Sequence, residues 1–326
     1  MNIKKTTLLF LIFCTTIAFS QTDSGEKINL KVVKANNDVY MLKGKGGNIG
    51  LSFGKESILM IDDQYAELSQ DILKAIRKIS DKPIKTLINT HFHGDHTGGN
   101  TAFKKEGAVI FSHEKTRERL TGVVNTDQKK IDESALPMVT FTDNLQFHHN
   151  GETIQAFHIE NAHTDGDVAI FFTKNNVIHT GDVFFKGSYP YIDTKSGGSI
   201  DGYIQGLEKI KMMSNEDTKI IPGHGEMGNI DDLTFTINML NDIYKNVRFH
   251  LAKGKSLQDV LAMKDITLKY DEKGYGKGYI STDKILTTIY NEIEKTNGPV
   301  DNRSMEERLQ DKYNKQQKEK KEKKDN

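Results

Sequence analysis

The chain has 326 residues, of which 45 are Lys or Arg and 45 are Asp or Glu, so its formal net charge at pH 7 is zero. This length suits one large α/β domain with short extensions. The balanced charge offers no basic face for a phosphate backbone, and we therefore expect no nucleic-acid partner. The single cysteine, Cys14, excludes a disulfide within the chain.

Residues 1–20 have the pattern of an export signal peptide. Two lysines form a basic start, Leu8–Phe13 is an apolar core, and Ala18–Ser20 places small residues before Gln21. This pattern predicts cleavage just before Gln21 and a periplasmic or secreted mature protein.

Two alternatives to a cleaved signal peptide are a membrane span and a lipoprotein signal. The apolar stretch Thr6–Phe19 has only fourteen residues, which is short for a bilayer span, so no transmembrane segment is predicted. A lipoprotein would carry its lipid on Cys14, but the bulky Phe13 stands where a small residue usually precedes the acylated cysteine. A cleaved signal peptide is therefore favoured.

Strand-like and helical segments alternate along the predicted domain, residues 21–298. Short apolar runs predict strands at 28–33, 38–43, 57–61, 85–90, 108–112, 168–172, 177–181 and 219–221, with hairpins within 139–160. Helical periodicity predicts helices at 66–79, 95–105, 200–213, 233–251 and 282–295. Gly44–Gly50 is interpreted as a hairpin connection. The charged tail, residues 299–326, is predicted to be helical or disordered.

Four metal-binding side chains stand within six residues, in the run His-Phe-His-Gly-Asp-His that follows an apolar segment. In an extended chain, residues two positions apart point to the same side, so His91 and His93 can hold one metal ion together. Asp95 and His96 follow Gly94, where the chain can turn, and are free to address a second ion. Imidazole and carboxylate are ligands of zinc, which activates water.

Three later blocks supply the remaining ligands, and most of them lie where a short apolar run meets a glycine-containing loop. His163 precedes the run at 168–172, Asp182 follows the strand at 177–181, and His224 stands between two glycines after the strand at 219–221. Loops on rigid sheet ends commonly carry catalytic groups. Seven ligands can be assembled: His91, His93 and His163 for one ion, Asp95, His96 and His224 for the other, and Asp182 between them.

These four blocks resemble the metallo-β-lactamase superfamily of binuclear metallohydrolases, over roughly residues 30–250. The resemblance implies a four-layer αββα sandwich of the α/β class, with the metal site at one edge of the sheets. It also implies two Zn²⁺ ions, with iron as the alternative metal. The implied reaction is hydrolysis by a metal-bridging hydroxide, in which Asp95 helps to move the proton.

The substrate is left open by the resemblance. No cysteine is present for a β-lactamase second site that uses one, and a bridging Asp182 is more typical of the family's lactonases, thioesterases, phosphodiesterases and nucleases. We predict an exported zinc hydrolase that cleaves an acyl bond, in a β-lactam, lactone, ester or thioester. The small-molecule substrate is expected to carry an anionic group. The alternatives are a phosphodiesterase of the same fold, an iron-dependent sulfur dioxygenase, and a metal-binding accessory protein.

Several residues near the ligands are candidates for supporting roles. Asp62 is predicted either to orient a ligand imidazole or to cap a helix. His179 is interpreted as a packed or supporting histidine, and His113 as a surface or helix-start residue. Residues after Asp182 are placed to meet substrate, with Lys186 as the partner of a substrate carboxylate. The other candidates there are Ser188, Tyr189 and Tyr191, although packing under the loop is an equal alternative for the aromatic residues. No role is assigned to His148, His149 or His158.

Overall fold

The computed structural model describes residues 30–122, 133–296 and 313–314. The predicted signal peptide and nearly all of the predicted tail lie outside these described residues. Within them, no helix combines the length and apolar character that crossing a membrane requires.

Two β-sheets form the centre of the fold. The strands of the seven-stranded sheet, in spatial order, are β1 Lys31–Asn36, β2 Val39–Lys43, β3 Ile49–Phe53, β4 Ile58–Ile61, β5 Ile84–Ile88, β6 Val109–His113 and β7 Val139–Phe141. Those of the five-stranded sheet, in chain order, are β8 Asn144–His149, β9 Glu152–Ile159, β10 Asp167–Phe172, β11 Val177–His179 and β12 Lys219–Ile221. The first sheet is antiparallel up to β4 and parallel from β4 to β7, and in the second only β11 and β12 are parallel.

Helices cover the outer faces of both sheets. The α-helices of the described chain are α1 Ser69–Arg77, α2 Gly94–Thr97, α3 Asn100–Lys105, α4 Glu114–Leu120, α5 Ile200–Met212, α6 Ile230–Ala252, α7 Leu257–Ala262, α8 Leu268–Asp271 and α9 Thr282–Lys295. The boundaries of α9 and β12 equal the predicted ones. Helix α6 begins with a capping box, in which Asn229 and Asp232 satisfy each other's backbone N–H groups.

Three apolar clusters separate the four layers. The first packs α1 and α3 on the seven-stranded sheet, through residues such as Ile72, Ile76 and Phe103. The second lies between the two sheets, where Ile61 and Ile88 share a core with β9 and β10. The third packs α5, α6 and α9 on the five-stranded sheet. Because each sheet is apolar on both faces, it must be covered on both, and the predicted αββα sandwich results.

Strand ends at one edge of the sandwich bring the loops with the candidate metal ligands together. The parallel strands β4 and β5 run on into Asp62 and His91, and the parallel strands β11 and β12 run on into Asp182 and His224. Parallel neighbours end at the same edge of their sheet, so all four loops meet there. Asn48 joins the two halves, because its backbone N–H donates to Gly223 O at 2.7 Å and its side chain to Pro222 O and Gly225 O.

Two local predictions were incomplete. Strand β3 was missed because Gly50 weakens its strand pattern. A Cβ at Gly50 would lie 2.8 Å from His179 Cδ2, so glycine lets β3 approach that ring. The single helix predicted at 95–105 is two helices, α2 and α3, which are separated by Gly98 and Gly99. The break lets Gly99 N–H donate to Asp63 Oδ1 at 2.7 Å.

Candidate metal centre

The first group of candidate ligands is His91, His93, His163 and Asp182, whose ligand atoms all lie within 4.8 Å of one another. His93 Nδ1 is 3.1 Å from His91 Nε2 and 2.9 Å from His163 Nε2. Asp182 Oδ2 lies 3.5 Å from His163 Nε2. Three ring nitrogens and one carboxylate oxygen therefore converge on a single point, as a tetrahedral zinc site requires.

The second group is Asp95, His96 and His224, which satisfy the same 4.8 Å criterion. His224 Nε2 lies 3.3 Å from Asp95 Oδ2, and His96 Nε2 lies 3.7 Å from the same oxygen. The other oxygen of Asp182 faces this group, with Oδ1 at 3.1 Å from His96 Nε2 and 3.5 Å from His224 Nε2. Asp182 thus presents one oxygen to each group, which is the arrangement of a bridging carboxylate.

Two buried atoms of the site show that a cation fits it. His96 Nε2 and Asp182 Oδ1 are buried and have no hydrogen-bond partner. A native fold rarely leaves buried polar atoms unpaired, and each one needs a specific explanation. A divalent cation satisfies a nitrogen lone pair and a carboxylate oxygen that are aimed at the same point.

Three of the histidines are fixed from behind by an acceptor on the outer ring nitrogen. His96 Nδ1 lies 2.7 Å from Asp62 Oδ2, His93 Nε2 lies 3.1 Å from Asp193 Oδ2, and His163 Nδ1 lies 2.8 Å from the carbonyl oxygen of Tyr191. Each contact places the proton on the outer nitrogen and leaves the lone pair of the other nitrogen directed into the site.

Asp62 is the most constrained of these acceptors. Its carboxylate also accepts from Thr90 N–H and from Thr90 Oγ1, both at 2.7 Å, and the residue is fully buried. Asp62 and Gln64 both have a φ of 59°, which is uncommon for residues other than glycine. The strained segment is held by its contacts, and it places the carboxylate behind His96 rather than at a helix cap.

Two histidines of the first group, His91 and His163, are neutral at pH 7. Burial lowers the pKa of His163 to about 4, and burial together with the neighbouring His96 holds the pKa of His91 well below its usual range. Neutral imidazole is the form that binds a metal ion, so this group is ready to accept one without losing a proton from these two rings.

As long as no ion balances the carboxylates of the second group, these carboxylates favour the protonated form of its histidines. Burial disfavours the charged form of His224, but Asp182 and Asp95 outweigh it and raise its pKa to about 9. The pKa of His96 is also raised, against burial, by Asp182, Asp95 and Asp62. A metal cation supplies the same compensation as these protons, and binding there must displace them.

Glycines of the β2–β3 loop cover the second group. Gly47 N–H donates to Asp95 O at 3.0 Å, and Gln64 Nε2 donates to Gly47 O at 2.7 Å. A Cβ at Gly47 would overlap the imidazole of His96. The predicted hairpin connection therefore forms part of the wall of the site.

The supporting residues occupy different places. His179 is fully buried, with Nε2–H donating to Asn48 O at 3.0 Å and Nδ1 accepting from Gly181 N–H, so it is a packed histidine that joins neither ligand group. Lys186 Nζ donates to Asp232 Oδ2 at 2.8 Å and to Met227 O at 2.9 Å, and its ammonium group is thereby already paired.

Of the two alternatives for Tyr189, the structure supports packing under the loop, and we correct its choice as a substrate candidate. Its side chain belongs to the core around α5 and α6 and is only 1% exposed, and its hydroxyl donates to Asp271 Oδ1 at 2.9 Å. Two other aromatic residues of this loop do reach the site. The Tyr191 ring stacks against His93 with centroids 5.9 Å apart, and the Phe185 ring stacks against His224 with centroids 5.1 Å apart.

Asp193 was missed by the sequence analysis. Besides holding His93, it accepts from the backbone N–H groups of Lys195 and Ser196, and its own N–H donates to His163 O at 2.9 Å. These contacts outweigh the effect of burial and lower its pKa to about 2. The run Asp193-Thr194-Lys195-Ser196 carries a helix-cap signal, but no sequence pattern connects it with a histidine one hundred residues earlier.

His158 and His113, to which the sequence assigned no role in the site, stack on each other with ring centroids 3.9 Å apart. His158 Nε2–H donates to Asp165 O at 3.0 Å, on the loop that carries His163. Burial, together with the proximity of His113, lowers the pKa of His158 to about 4.

The low pKa of His158 predicts acid destabilisation. Between about pH 6.5 and pH 4 the unfolded chain binds a proton that the folded chain does not, so stability is full above this window and falls as the pH falls through it. We expect metal-free wild-type protein to lose roughly 1–2 kcal/mol more between pH 7.5 and pH 5 than His158→Gln. Urea denaturation measures both, and equal losses would contradict the prediction.

Comparisons with known proteins agree with this geometry. The family model of the metallo-beta-lactamase superfamily matches residues 56–224. Metallo-beta-lactamase IND-1 of Chryseobacterium indologenes is 22% identical over 245 residues, covering 73% of this chain and 99% of that protein. A linear primary-alkylsulfatase of Pseudomonas sp. (strain ATCC 19151) is 24% identical over 213 residues, covering 52% of this chain and 40% of that protein.

A solved structure resembles this chain in fold over more residues than the family model matches. The stereoselective inverting sec-alkylsulfatase Pisa1 from Pseudomonas sp. matches with a TM-score of 0.63 at 15% identity, over 84% of this chain and 51% of that one. The chain thus spans about half or less of the two alkylsulfatases. The family model covers more than half of the chain, and the predicted αββα fold is confirmed. This chain belongs to the metallo-β-lactamase superfamily, whose members are hydrolases with a divalent-metal site.

Proposed function

We propose that the chain is an exported zinc hydrolase that cleaves an acyl bond, in a β-lactam, lactone, ester or thioester. The observation that carries the proposal is the pair of ligand groups that share Asp182, one oxygen facing each. Two zinc ions fit these groups better than iron. Five of the seven candidate ligands are imidazoles, and the first group offers four ligand atoms, the number that a tetrahedral zinc site uses. The proposed organisation is a signal peptide at 1–20, the catalytic domain at 21–298 and a charged tail at 299–326.

Zinc, when bound, lowers the pKa of its water to about 7 and polarises a substrate oxygen. The chain's own residues hold and orient the ligands. Asp62 and Asp193 fix the rings of His96 and His93, so that neither ring has to reorient during the reaction.

Asp95 is the residue we assign to proton transfer. Burial would raise its pKa, but His96 and His224 lower it below its usual range, so the carboxylate is ionised at neutral pH. Its side chain is 22% exposed, against 5% for Asp182. An ionised carboxylate open to the solvent side of the site can accept a proton and return it to the leaving group.

Sulfate-ester hydrolysis is the second candidate. Both alkylsulfatases resemble this chain, and the structural likeness to Pisa1 extends over 84% of the chain, well beyond the residues of the family model. Phosphodiester hydrolysis is the third candidate, and iron-dependent sulfur oxidation is the fourth. The three hydrolyses differ in product, and the oxidation differs from them in its metal and in its consumption of oxygen.

The test combines metal analysis with a substrate panel. Purified protein is analysed for zinc and iron and then assayed with nitrocefin, γ-butyrolactone, p-nitrophenyl acetate, acetylthiocholine, bis(p-nitrophenyl) phosphate and p-nitrophenyl sulfate. We expect close to two zinc ions per chain, cleavage of an acyl substrate, loss of activity on chelation and recovery with zinc. His91→Ala should abolish turnover, while His148→Ala, at an exposed hairpin histidine, should not. Cleavage of the phosphodiester or the sulfate alone, or one iron ion with oxygen uptake, would overturn the acyl proposal.

Export is tested at the N-terminus of the mature protein. We expect protein recovered from the cell envelope to begin at Gln21. Leu11→Arg interrupts the apolar core of the signal and should retain the protein in the cytoplasm. Cys14→Ser should leave the cleavage unchanged, since Cys14 lies in the part that is removed. An intact Met1, or a lipid on Cys14, would contradict this assignment.

A further inference from the structure

A cluster of two tyrosines and a lysine adjoins the candidate metal centre. Tyr191 stacks on His93 and meets Tyr279 edge-on, with ring centroids 5.9 Å apart. Lys284 Nζ lies 4.5 Å from the centroid of the Tyr279 ring and 5.8 Å from that of Tyr191. Tyr191 thus contacts both the ammonium group of Lys284 and His93, a candidate ligand of the first group.

Tyr279 and Lys284 come from a part of the chain that the family model does not cover. The family model matches residues 56–224. Tyr279 precedes helix α9, and Lys284 lies in the first turn of that helix. Gly278, just before Tyr279, lies beside Ser188 of the loop that follows Asp182. A Cβ at Gly278 would lie 3.6 Å from Ser188 Cβ, which is an ordinary van der Waals distance. The C-terminal segment therefore packs against the loop that follows Asp182 and extends the wall of the site.

The exposure of these residues is unusual for groups that serve packing alone. Tyr279 is 78% exposed, and Lys284 is also exposed. A tyrosine in the core, such as Tyr189, is covered and has its hydroxyl paired. The ring of Tyr279 therefore offers an aromatic surface to solvent beside the metal centre.

Lys284 is available to a ligand, whereas Lys186 is not. In the described part of the chain no carboxylate forms an ion pair with Lys284, while Lys186 is paired with Asp232. Contact with the tyrosine rings stabilises an exposed ammonium group only weakly, and it occupies none of the three N–H donors.

We propose that Tyr191, Tyr279 and Lys284 form a binding subsite for a small organic carboxylate with an apolar portion. The apolar portion packs on the exposed ring of Tyr279 and the half-buried ring of Tyr191, and the carboxylate accepts hydrogen bonds from Lys284 Nζ. The subsite rests on the proposed function, because it places the remaining part of such a substrate over the metal centre. It replaces Lys186 as the residue that recognises the anionic group.

The test measures binding rather than turnover. Isothermal titration of zinc-loaded protein compares 4-phenylbutyrate with 4-phenyl-1-butanol, which has the same apolar portion without the charge. We expect wild-type protein to bind the carboxylate roughly threefold to tenfold more tightly at low ionic strength, and the preference to shrink as salt is added. Lys284→Gln should remove the preference, and Lys295→Gln, at the other end of α9, should keep it. Tyr279→Ala should weaken both ligands by similar factors.

Two results would overturn the subsite. If Lys284→Gln keeps the preference for the carboxylate, the anion is held elsewhere, and if wild-type protein binds neither compound, the tyrosines form no ligand surface. The hydrolytic proposal is judged separately by the substrate panel. A binding preference that depends on Lys284 in a protein that cleaves no acyl substrate would support the subsite and refute the acyl reaction.

Discussion

Asp182→Asn is expected to lower kcat/KM by about a hundredfold or more and to reduce the zinc content below two ions per chain. Asp182 Oδ1 faces His96 and His224, and Oδ2 faces His91 and His163. An amide offers one oxygen in place of two and puts N–H donors towards the other group. It also removes the negative charge that raises the pKa values of His96 and His224.

Asp193→Asn is the matched comparison for that experiment. Asp193 touches His93 through the outer nitrogen and lies behind the ring, so its loss should lower zinc affinity by about 10- to 100-fold while saturating zinc restores the metal content. Metal analysis after dialysis and kcat/KM with excess zinc measure both effects. An Asp182→Asn protein with two zinc ions and full activity would show that Asp182 has a structural role only.

Gly47→Ala is expected to lower kcat/KM by about a hundredfold, although it changes no titratable group. The added Cβ would overlap the His96 ring and lie 2.7 Å from Nδ1, the atom that contacts Asp62. Either the β2–β3 loop or the ring must move, and a displacement of about 1 Å at a catalytic group is enough to cause such a loss.

Gly94→Ala is the control for the glycine substitution, because nothing lies within 4 Å of a Cβ at that position. Gly94 is the first residue of α2, where alanine is well tolerated. We expect this variant to keep its zinc and its activity, while Gly47→Ala loses zinc mainly from the second group. Equal zinc content and activity in both variants would show that the loop yields without disturbing His96.

The sequence predicted the parts of the site that are encoded locally. His91, His93, Asp95 and His96 are neighbours in the chain, and two of the three distant candidate ligands, Asp182 and His224, stand just after a recognisable strand. The αββα fold followed from the resemblance, and apolar runs placed most strands to within a few residues. Strand β3 was not predicted because Gly50 interrupts its strand pattern. The reason for this glycine is the close approach of His179, a tertiary contact that the sequence does not show.

The residues around the ligands could not be predicted in the same way. Tyr189 and Tyr191 are two positions apart in an irregular loop, where the alternation of an extended strand does not apply, and only the packed fold shows that Tyr189 enters the core. Asp193 and Tyr279 lie in irregular segments that fold back onto the site. Such segments have no helix or strand periodicity in the sequence from which their position could be predicted. Under our proposal Tyr191 and Tyr279 would contact the substrate, and this would explain why the sequence predicts the chemistry better than the specificity.

Each candidate ligand group takes side chains from both sheets. His91 and His96 follow β5 of one sheet, whereas His163 and His224 lie on loops of the other. Ions bound there would act as cross-links between the two halves of a chain whose single cysteine cannot form an internal disulfide. Because the unfolded chain has no such site, each ion present at a hundred times its dissociation constant adds about 2.7 kcal/mol to folding. The supply of metal in the compartment where the protein folds would then help to set its resistance to proteolysis.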